Sequence, residues 1–280
     1  MTGSSEADAL ARLYDVDLED DPGDLDLYQA LATKTGGPIL ELAVGSGRIA
    51  VPLATAGHGV TGVDRDPSML ARARLRAQVA GRSAAARLTL VEADLRTVRV
   101  QQPDGFRLAF IALNSLLVLG DRRDQARAFE ALARHLTHDG MAVVDIWQPD
   151  ADQLARYDGR LGLEYVRRDA TTGATVTKMA SAHHDASGRV LLTAIYDEGQ
   201  PGEPSTRWVR EDRLRLVSPD ELVALAEGAG LRVDQLAGDY DLRPYEPGDD
   251  RAILIASPGA RRQRALRGGV RRAASGHPSR

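Results

Sequence analysis

Cysteine is absent from the 280-residue chain, and its absence removes several kinds of chemistry at once. Without thiols there are no disulfides, no thiolate metal sites and no cysteine nucleophile. No apolar run approaches the roughly 18 residues that a membrane span requires. The N-terminal stretch also lacks the basic patch and apolar core of an export signal. We therefore expect a cytoplasmic protein with no membrane partner.

Lysine is scarce, since only Lys34 and Lys178 occur among 36 basic residues. Short-chain nicotinamide-dependent reductases require a Tyr-x-x-x-Lys pair, and the residues four positions before these lysines are Ala30 and Ala174. This argues against a reductase of that class. No His-x-x-x-His pair or carboxylate cluster at ligand spacing occurs either, so we predict no metal site.

The charge that is present is distributed unevenly. Nine acids and one arginine lie between positions 6 and 26, whereas residues 261–280 carry seven arginines and no acid. A basic tail can attract nucleic acid. This tail has no aromatic residue and little apolar periodicity, so we predict that residues 259–280 are disordered and that nucleic acid is not the partner.

The apolar pattern predicts an α/β core followed by an antiparallel segment. From 38 to 146 strand and helix patterns alternate, which indicates a doubly wound parallel sheet with helices on both faces. In this stretch, THDG predicts a helix that ends at a left-handed Gly140. Between 161 and 217, four strand-like segments are separated by glycine-containing turns. Then SPDELVALAEGAG predicts a helix with Ser218 as its cap and Glu221 completing a capping box, before two last strands.

The run PILELAVGSGRIAV, from Pro38 to Val51, combines a strand, a glycine turn and a helix start. Dinucleotides prefer three glycines spaced G-x-G-x-x-G, but the third position here is Ala50. S-adenosylmethionine carries no phosphate, and it needs only the close backbone approach that Gly45 and Gly47 provide. An isolated glycine turn leaves both cofactors open.

Polar residues also end the following strands. Asp64 ends GVTGVD and is placed to accept hydrogen bonds from two ribose hydroxyls. Asp94 and the amide of Leu95 can pair with an adenine, and Asn114 ends the fourth strand. Because the carboxyl ends of parallel strands meet at one edge of a sheet, these residues predict a ligand crevice there.

With these motifs, the run from Pro38 to Val144 resembles the core of class I S-adenosylmethionine-dependent methyltransferases. The resemblance implies a Rossmann-like sheet of seven strands whose last strand is antiparallel, with S-adenosylmethionine as cofactor. It also implies a small-molecule substrate, covered by the N-terminal helices and the insertion. The predicted cofactor residues are Tyr14, Tyr28, Glu41, Ala43, Gly45, Gly47, Asp64, Arg65, Met69, Ala93, Asp94, Leu95 and Asn114.

The chain is accordingly divided into five predicted segments. These are a helical lid (1–36), an S-adenosylmethionine-binding core (37–157), an antiparallel insertion that caps the substrate side (158–217), a return to the core (218–258) and the basic tail (259–280).

One departure from the resembling family concerns the general base. Many small-molecule members carry a histidine four residues after the Asn114 position, and this chain has Val118 there. His183 and His184, near a turn of the insertion, are the remaining candidate bases. The candidate substrate-binding residues are Trp147, Trp208 and Arg213.

We predict a methyltransferase that acts on an O or N nucleophile of a small molecule by direct in-line transfer. Such a transfer depends mainly on the alignment of nucleophile, methyl and sulfur. The alternatives are a non-catalytic S-adenosylmethionine-binding protein and, on weaker grounds, a nicotinamide-dependent reductase. An exposed apolar face of the insertion would also suit a homodimer.

Overall fold

The structure is a computed structural model that describes residues 5–20, 22–200 and 202–259. Two N-terminal helices precede an alternation of strands and helices, four long strands follow, and a helix and two strands end the described part. The helices are α1 (Glu6–Asp17), α2 (Leu25–Thr35), α3 (Ala50–Thr55), α4 (Pro67–Ala80), α5 (Arg82–Arg87), α6 (Arg122–His135), α7 (Ala151–Arg156) and α8 (Pro219–Gly228). The strands are β1 (Ile39–Leu42), β2 (Val60–Asp64), β3 (Leu88–Glu92), β4 (Phe106–Ile111), β5 (Leu136–Trp147), β6 (Gly162–Arg168), β7 (Thr175–His184), β8 (Arg189–Gly199), β9 (Thr206–Arg215), β10 (Leu231–Ala237) and β11 (Arg251–Pro258).

Seven strands form the central sheet, in the order β10-β11-β5-β4-β1-β2-β3. Strand β11 is antiparallel to both of its neighbours, whereas the pairs from β5 to β3 are parallel. The predicted doubly wound sheet of seven strands with a reversed last strand is therefore confirmed. Alternate residues of β1 enter different cores: Leu40 packs into the cluster on one face, and Ile39 into the cluster on the other.

Strands β6 to β9 form a second sheet that is antiparallel throughout. This is the predicted antiparallel insertion, and α7 lies between it and the central sheet along the chain. Its strands are seven to eleven residues long.

Polar side chains cap the starts of two long helices, and Ser218 is the cap that the sequence predicts. The Asp66 side chain accepts a hydrogen bond from Ser68 N at 2.8 Å at the start of α4, and Ser218 accepts one from Glu221 N at 3.2 Å at the start of α8. The capping box predicted for α8 is only half formed. The Glu221 carboxylate accepts hydrogen bonds from the Arg215 guanidinium, at 2.9 Å and 3.1 Å, instead of reaching back to the cap.

Two predictions about local structure need correction. Helix α6 passes directly into β5 at Leu136, so THDG lies within the strand and Gly140 does not have the predicted left-handed conformation. A Cβ atom at Gly140 would lie 2.8 Å from the carbonyl oxygen of Phe106, so glycine is required there by the close approach of β4. The short helices α5 and α7 were also not predicted from the sequence.

Candidate functional site

The glycine turn after β1 is fixed by the end of β2. Ala43, Gly45 and Gly47 all have positive φ angles, of 62°, 54° and 76°. The Gly45 N–H donates to Asp64 Oδ2 at 2.8 Å, and Asp66 N donates to Asp64 Oδ1 at 3.0 Å. A carboxylate oxygen can accept more than one hydrogen bond. Asp64 therefore fixes the conformation of the turn and can still accept hydrogen bonds from a ligand.

Gly47 has a different role from the one predicted. A Cβ atom at this position would lie 3.1 Å from the side chains of Ala73 and Val51, so glycine permits helices α3 and α4 to pack closely. Gly45 instead faces α1, and a Cβ atom there would lie 3.9 Å from the Tyr14 ring. Only Gly45 of the two lines the adjacent cleft.

A cleft of about 550 Å³ runs along this edge of the central sheet, and we call it the glycine-turn cleft. Its size suits a small ligand. The wall includes the ends of the first three strands, the start of α4 and the inner side of α1. The predicted residues that line it are Tyr14, Ala43, Gly45, Asp64, Arg65, Met69, Asp94 and Leu95. The structure also places Leu10, Ser115, Val118, Arg210 and Asp212 there, none of which belonged to the predicted set.

Asp94 is held by an arginine two residues further on. Arg96 Nε donates to both Asp94 oxygens, at 2.9 Å and 3.0 Å, and the same guanidinium also pairs with Asp124. These hydrogen bonds hold the pKa of Asp94 below its usual value. Asp94 therefore lines the cleft as a carboxylate whose orientation is fixed by Arg96.

Glu41 lies beneath the turn and is 3% exposed. Burial is the main cause that raises its pKa well above the usual value, although the nearby Arg48 acts in the opposite direction. Its Oε2 atom has no hydrogen-bond partner among the described residues. Glu41 is not among the residues that line the glycine-turn cleft, so the structure does not bring this predicted cofactor residue into its wall.

A second cleft, of about 620 Å³, lies between the central sheet and the four-stranded sheet, and we call it the insertion cleft. It is lined by residues of β7 and β8, by α1, and by the segments around Asn114 and Tyr157. Three residues line both clefts: Tyr14, Arg210 and Asp212. The two clefts therefore meet at one wall built from α1 and β9.

The shared wall is an ordered cluster. The Arg210 guanidinium lies 5.6 Å from the centre of the Tyr14 ring, and Arg210 Nε pairs with Asp212 Oδ2 at 2.7 Å. Burial raises the pKa of the Tyr14 hydroxyl, so it stays protonated at neutral pH. The cluster thus presents one phenol, one cation and one carboxylate where the clefts join.

Helix α1 is attached to both halves of the molecule through two aspartates. Asp15 accepts hydrogen bonds from Ser46 Oγ at 2.5 Å, Arg72 Nε at 2.6 Å and Arg76 Nη2 at 2.7 Å, all in the central domain. Asp17 accepts from the Tyr165 and Tyr196 hydroxyls, both at 2.6 Å, and pairs with Lys178 Nζ at 3.1 Å in the insertion. These attachments hold Tyr14, which precedes both aspartates, over the glycine turn.

Tyr28 was predicted to cover the cofactor, and this is corrected by its burial. The side chain is 0% exposed, and its ring packs 4.4 Å from the ring of Phe110 in the central core. Ala93 and Asn114 also lie outside the wall of the glycine-turn cleft. Ala93 N donates to Asp64 O at 2.9 Å. Asn114 lines the insertion cleft, and its Oδ1 accepts from Trp147 N at 2.6 Å.

Neither candidate base lies in a cleft wall. His183 is exposed beside the turn at Gly159, and the backbone N–H of His184 donates to Tyr157 O at 3.0 Å. The adjacent Ser181 and Ala182 line the insertion cleft, whereas both histidines lie beyond its edge. The structure therefore does not bring either histidine into these two clefts, and a histidine base in the insertion stays a prediction.

The predicted substrate residues also lie outside the cleft walls. Arg213 is on the face of β9 opposite Arg210 and Asp212, because successive residues of a strand point to opposite faces. Trp208 shares the face of Arg210 but packs in a small core with Leu13 and Tyr196. The Trp147 ring packs at a tilt of 45° against the ring of Tyr157, with 5.7 Å between the ring centres, and Tyr157 itself lines the insertion cleft.

Within the part of the chain that the structure describes, no group of three or more His, Asp or Glu side chains is placed to hold a metal ion. No helix of residues 5–20, 22–200 or 202–259 is long and apolar enough to cross a membrane.

Comparison with known proteins identifies the domain. Residues 39–140 match the sequence model of the methyltransferase domain family. No curated protein matches the chain in sequence. This matched segment contains the glycine turn and the acidic strand ends at the edge of the Rossmann-like sheet.

The whole described fold is similar to solved S-adenosylmethionine-dependent methyltransferases. One such enzyme from Clostridium acetobutylicum has 18% identity and a TM-score of 0.73, over 90% of this chain and 98% of that one. The CcbJ methyltransferase from Streptomyces caelestis has 24% identity and a TM-score of 0.72, over 92% and 99%. The sugar N-methyltransferase KedS8 from Streptoalloteichus has 20% identity and a TM-score of 0.68, over 88% and 91%. The predicted fold class, enzyme class and S-adenosylmethionine cofactor are confirmed at the level of this domain and fold.

Proposed function

We propose that the protein transfers the methyl group of S-adenosylmethionine to a small polar molecule, with an amine as the acceptor group. The observation that carries the proposal is the junction of two clefts at Tyr14, Arg210 and Asp212. One cleft has the features of a cofactor site, and the other has room for an acceptor beside it. A group transfer between two bound molecules requires such a junction.

The glycine-turn cleft supplies the groups that a nucleoside needs. Asp64 would accept hydrogen bonds from the ribose hydroxyls, and Asp94 with the amide of Leu95 would contact the adenine. Gly45 would allow the amino-acid part to lie against the backbone. Bound there, S-adenosylmethionine supplies a methyl group on an activated sulfonium, which leaves as a neutral thioether.

The shared wall would orient the acceptor and hold its proton. An amine is protonated at neutral pH and must lose one proton before its nitrogen can attack. Asp212 is the carboxylate that lines both clefts, so we assign it the contact with the acceptor ammonium. Arg210 fixes the Asp212 carboxylate at 2.7 Å, and Tyr14 closes the wall on the α1 side. This assignment replaces the histidine base that the chain lacks at Val118.

The insertion cleft favours a polar acceptor. Its wall combines the leucines Leu18, Leu113 and Leu192 with charged and hydroxyl-bearing side chains, which are Asp17, Arg160, Glu164, Lys178 and Tyr196. Hydroxyl-bearing molecules suit such a wall because each polar group can find a hydrogen-bond partner. The likeness to the sugar N-methyltransferase KedS8 supports an amino sugar as the first acceptor to test.

Turnover would be measured as S-adenosylhomocysteine release with matched acceptors, such as glucosamine against glucose, and with a wider panel of amino sugars, amines and phenols. The proposal expects amines to be methylated and their hydroxyl analogues to be inert. Methylation of phenols or alcohols alone would replace the amine assignment. If the protein binds S-adenosylmethionine and releases no product across the panel, the non-catalytic alternative gains support.

A further inference from the structure

The turn after β3 leaves one backbone donor without a partner at the wall of the glycine-turn cleft. Thr97 N and Val98 N both donate to Asp94 O, at 3.1 Å and 2.9 Å, and close the turn. The Leu95 N–H donates no hydrogen bond within the described part of the chain. Asp94 and Leu95 both line the cleft, so a carboxylate and an unused N–H come from adjacent residues of its wall.

Arg96 occupies most of the acceptor capacity of the Asp94 carboxylate. Its backbone N–H donates to Oδ1 at 2.9 Å, and its Nε–H is shared between Oδ1 and Oδ2, at 2.9 Å and 3.0 Å. Its Nη2 also donates to Oδ2. An ionised carboxylate offers about four acceptor sites. Three N–H groups of Arg96 therefore leave Asp94 about one site for a ligand.

A second carboxylate holds the other end of the same guanidinium. Arg96 Nη1 pairs with Asp124 in the first turn of α6, and this pair joins the turn after β3 to the start of that helix. Asp124 is itself fixed, because its N–H donates to Asp121 Oδ1 at 2.8 Å and its carboxylate pairs with Arg127 at 3.4 Å. Arg96 also lines the cleft, where its side chain is 29% exposed. Contacts from two elements of the central domain thus set its position.

An adenine presents a matching edge to the carboxylate and the unused N–H. Its exocyclic amine is a donor and the neighbouring ring nitrogen is an acceptor. Hypoxanthine carries a carbonyl in place of the amine and a hydrogen on that ring nitrogen, so its polarity is opposite at both positions. A site that binds one edge disfavours the other, because each polar group would then face a group of its own kind.

We propose that Arg96 is a positioning residue that makes the site selective for adenine over hypoxanthine, by holding Asp94 in register with the Leu95 N–H. The inference rests on the proposed S-adenosylmethionine site and adds a role for a residue outside the predicted set. The fork of a guanidinium binds both oxygens of a carboxylate and fixes its plane, whereas a lysine ammonium is a point charge. The selectivity therefore requires the fork and not the charge alone.

Calorimetry on the full chain with S-adenosylhomocysteine and its hypoxanthine analogue, S-inosylhomocysteine, tests the proposal. We expect the wild type to prefer the adenine compound by about thirtyfold, the value of a good two-point contact to a base edge. Arg96→Lys keeps the charge beside Asp94 but loses the fork, and it should lower this ratio at least about fivefold. Arg99→Lys, at an exposed arginine outside the cleft wall, is the matched control and should keep the wild-type ratio.

A double-mutant cycle tests whether the effect of Arg96 acts through Asp94. Asp94→Asn should bring the ratio close to one, because an amide can accept from the adenine amine or donate to the hypoxanthine carbonyl. In that background Arg96→Lys should change the ratio by less than about twofold. An effect of Arg96→Lys that survives without the carboxylate would show that Arg96 contacts the base directly, and this would overturn the positioning role.

Two other results would also overturn the proposal. A wild type that binds both compounds equally has no selectivity to be positioned, and an Arg96→Lys variant with the wild-type ratio would show that the fork is not required. A wild type that binds neither compound would instead contradict the proposed function itself. The ratio distinguishes a lost selectivity from a loosened fold, because a merely destabilised site would weaken both compounds equally.

Discussion

The substitution Asp64→Asn tests the predicted cofactor site most closely. Asp64 already accepts hydrogen bonds from the N–H groups of Gly45, at 2.8 Å, and of Asp66, at 3.0 Å. In the proposed complex the same carboxylate also accepts from two ribose hydroxyls. An amide at this position has one acceptor oxygen instead of two, and it carries no charge.

The expected size follows from the value of hydrogen bonds to a charged group. Losing them costs about 1.5–3 kcal/mol, which corresponds to a Kd for S-adenosylhomocysteine raised about tenfold to 150-fold. Part of the lost binding free energy would come from a disturbed glycine turn. The asparagine side chain can direct its own N–H at the Gly45 N–H, and two donors cannot form a hydrogen bond. Thermal unfolding without ligand measures that part separately.

Isothermal titration calorimetry with S-adenosylhomocysteine is the assay. Glu92→Gln is the matched control, since Glu92 is the register partner of Asp64 on β3 and lies outside the cleft wall. The control should bind like the wild type. A folded Asp64→Asn variant with unchanged affinity, or a Glu92→Gln variant that loses as much, would refute the assignment.

Three further predictions concern the junction, α1 and the pH dependence. Asp212→Asn should lower kcat for an amine acceptor at least tenfold without changing S-adenosylhomocysteine affinity. The control variant Arg213→Ala, on the opposite face of β9, should change neither quantity. Equal losses of kcat in both variants would contradict the assignment of Asp212. Asp15→Ala removes three hydrogen bonds to a partly buried carboxylate and should lower the free energy of unfolding by about 1–3 kcal/mol. A calorimetric scan should then show a Tm lower by roughly 2–12 °C. An unchanged Tm would show that α1 is held by other contacts. Arg96→Ala should raise the pKa of Asp94 in the folded protein. In the wild type this pKa lies below its value in the unfolded chain, so the ionised carboxylate stabilises the fold at pH values above the unfolded pKa, and this contribution is lost as the pH falls through the folded pKa. Acid unfolding of the variant should therefore begin at a higher pH, and an identical acid limb would contradict this.

The cofactor edge could be predicted because its residues are set by local sequence. Gly45, Asp64 and Asp94 each follow an apolar strand, and parallel strands bring their carboxyl ends to one edge whatever the rest of the chain does. Gly47 belongs to the same motif, but its environment depends on how α3 packs against α4. The packing of α3 against α4 cannot be predicted from the sequence motif alone.

The residues on the acceptor side of the site could not be predicted from local sequence patterns. Whether Arg210 or Arg213 faces the cleft is decided by the register of β9, and a shift of one residue exchanges the two faces. In REDRLR each face carries one of these arginines and one acid, Arg210 with Asp212 and Arg213 with Glu211, so polarity alone does not distinguish the faces. Apolar Leu214, which is buried, marks the inner face and could have identified Arg210 and Asp212 as the inward pair.

Tyr14 and Tyr28 show the same limit for helices. Both tyrosines lie on N-terminal helices with similar apolar content, and both were predicted to cover the cofactor. Tyr14 is held over the glycine turn by the hydrogen bonds and ion pairs of α1, whose partners are as much as 186 residues away in sequence. Tyr28 instead enters the core against Phe110. Long-range pairing of this kind is fixed only when the sheets are assembled.

The most direct test of the central claim is a calorimetric comparison of S-adenosylhomocysteine and NADH on the wild-type protein. The account predicts that S-adenosylhomocysteine binds at one site per chain and that NADH does not compete for it. Tighter binding of NADH at that site would contradict the assignment of the glycine-turn cleft to S-adenosylmethionine.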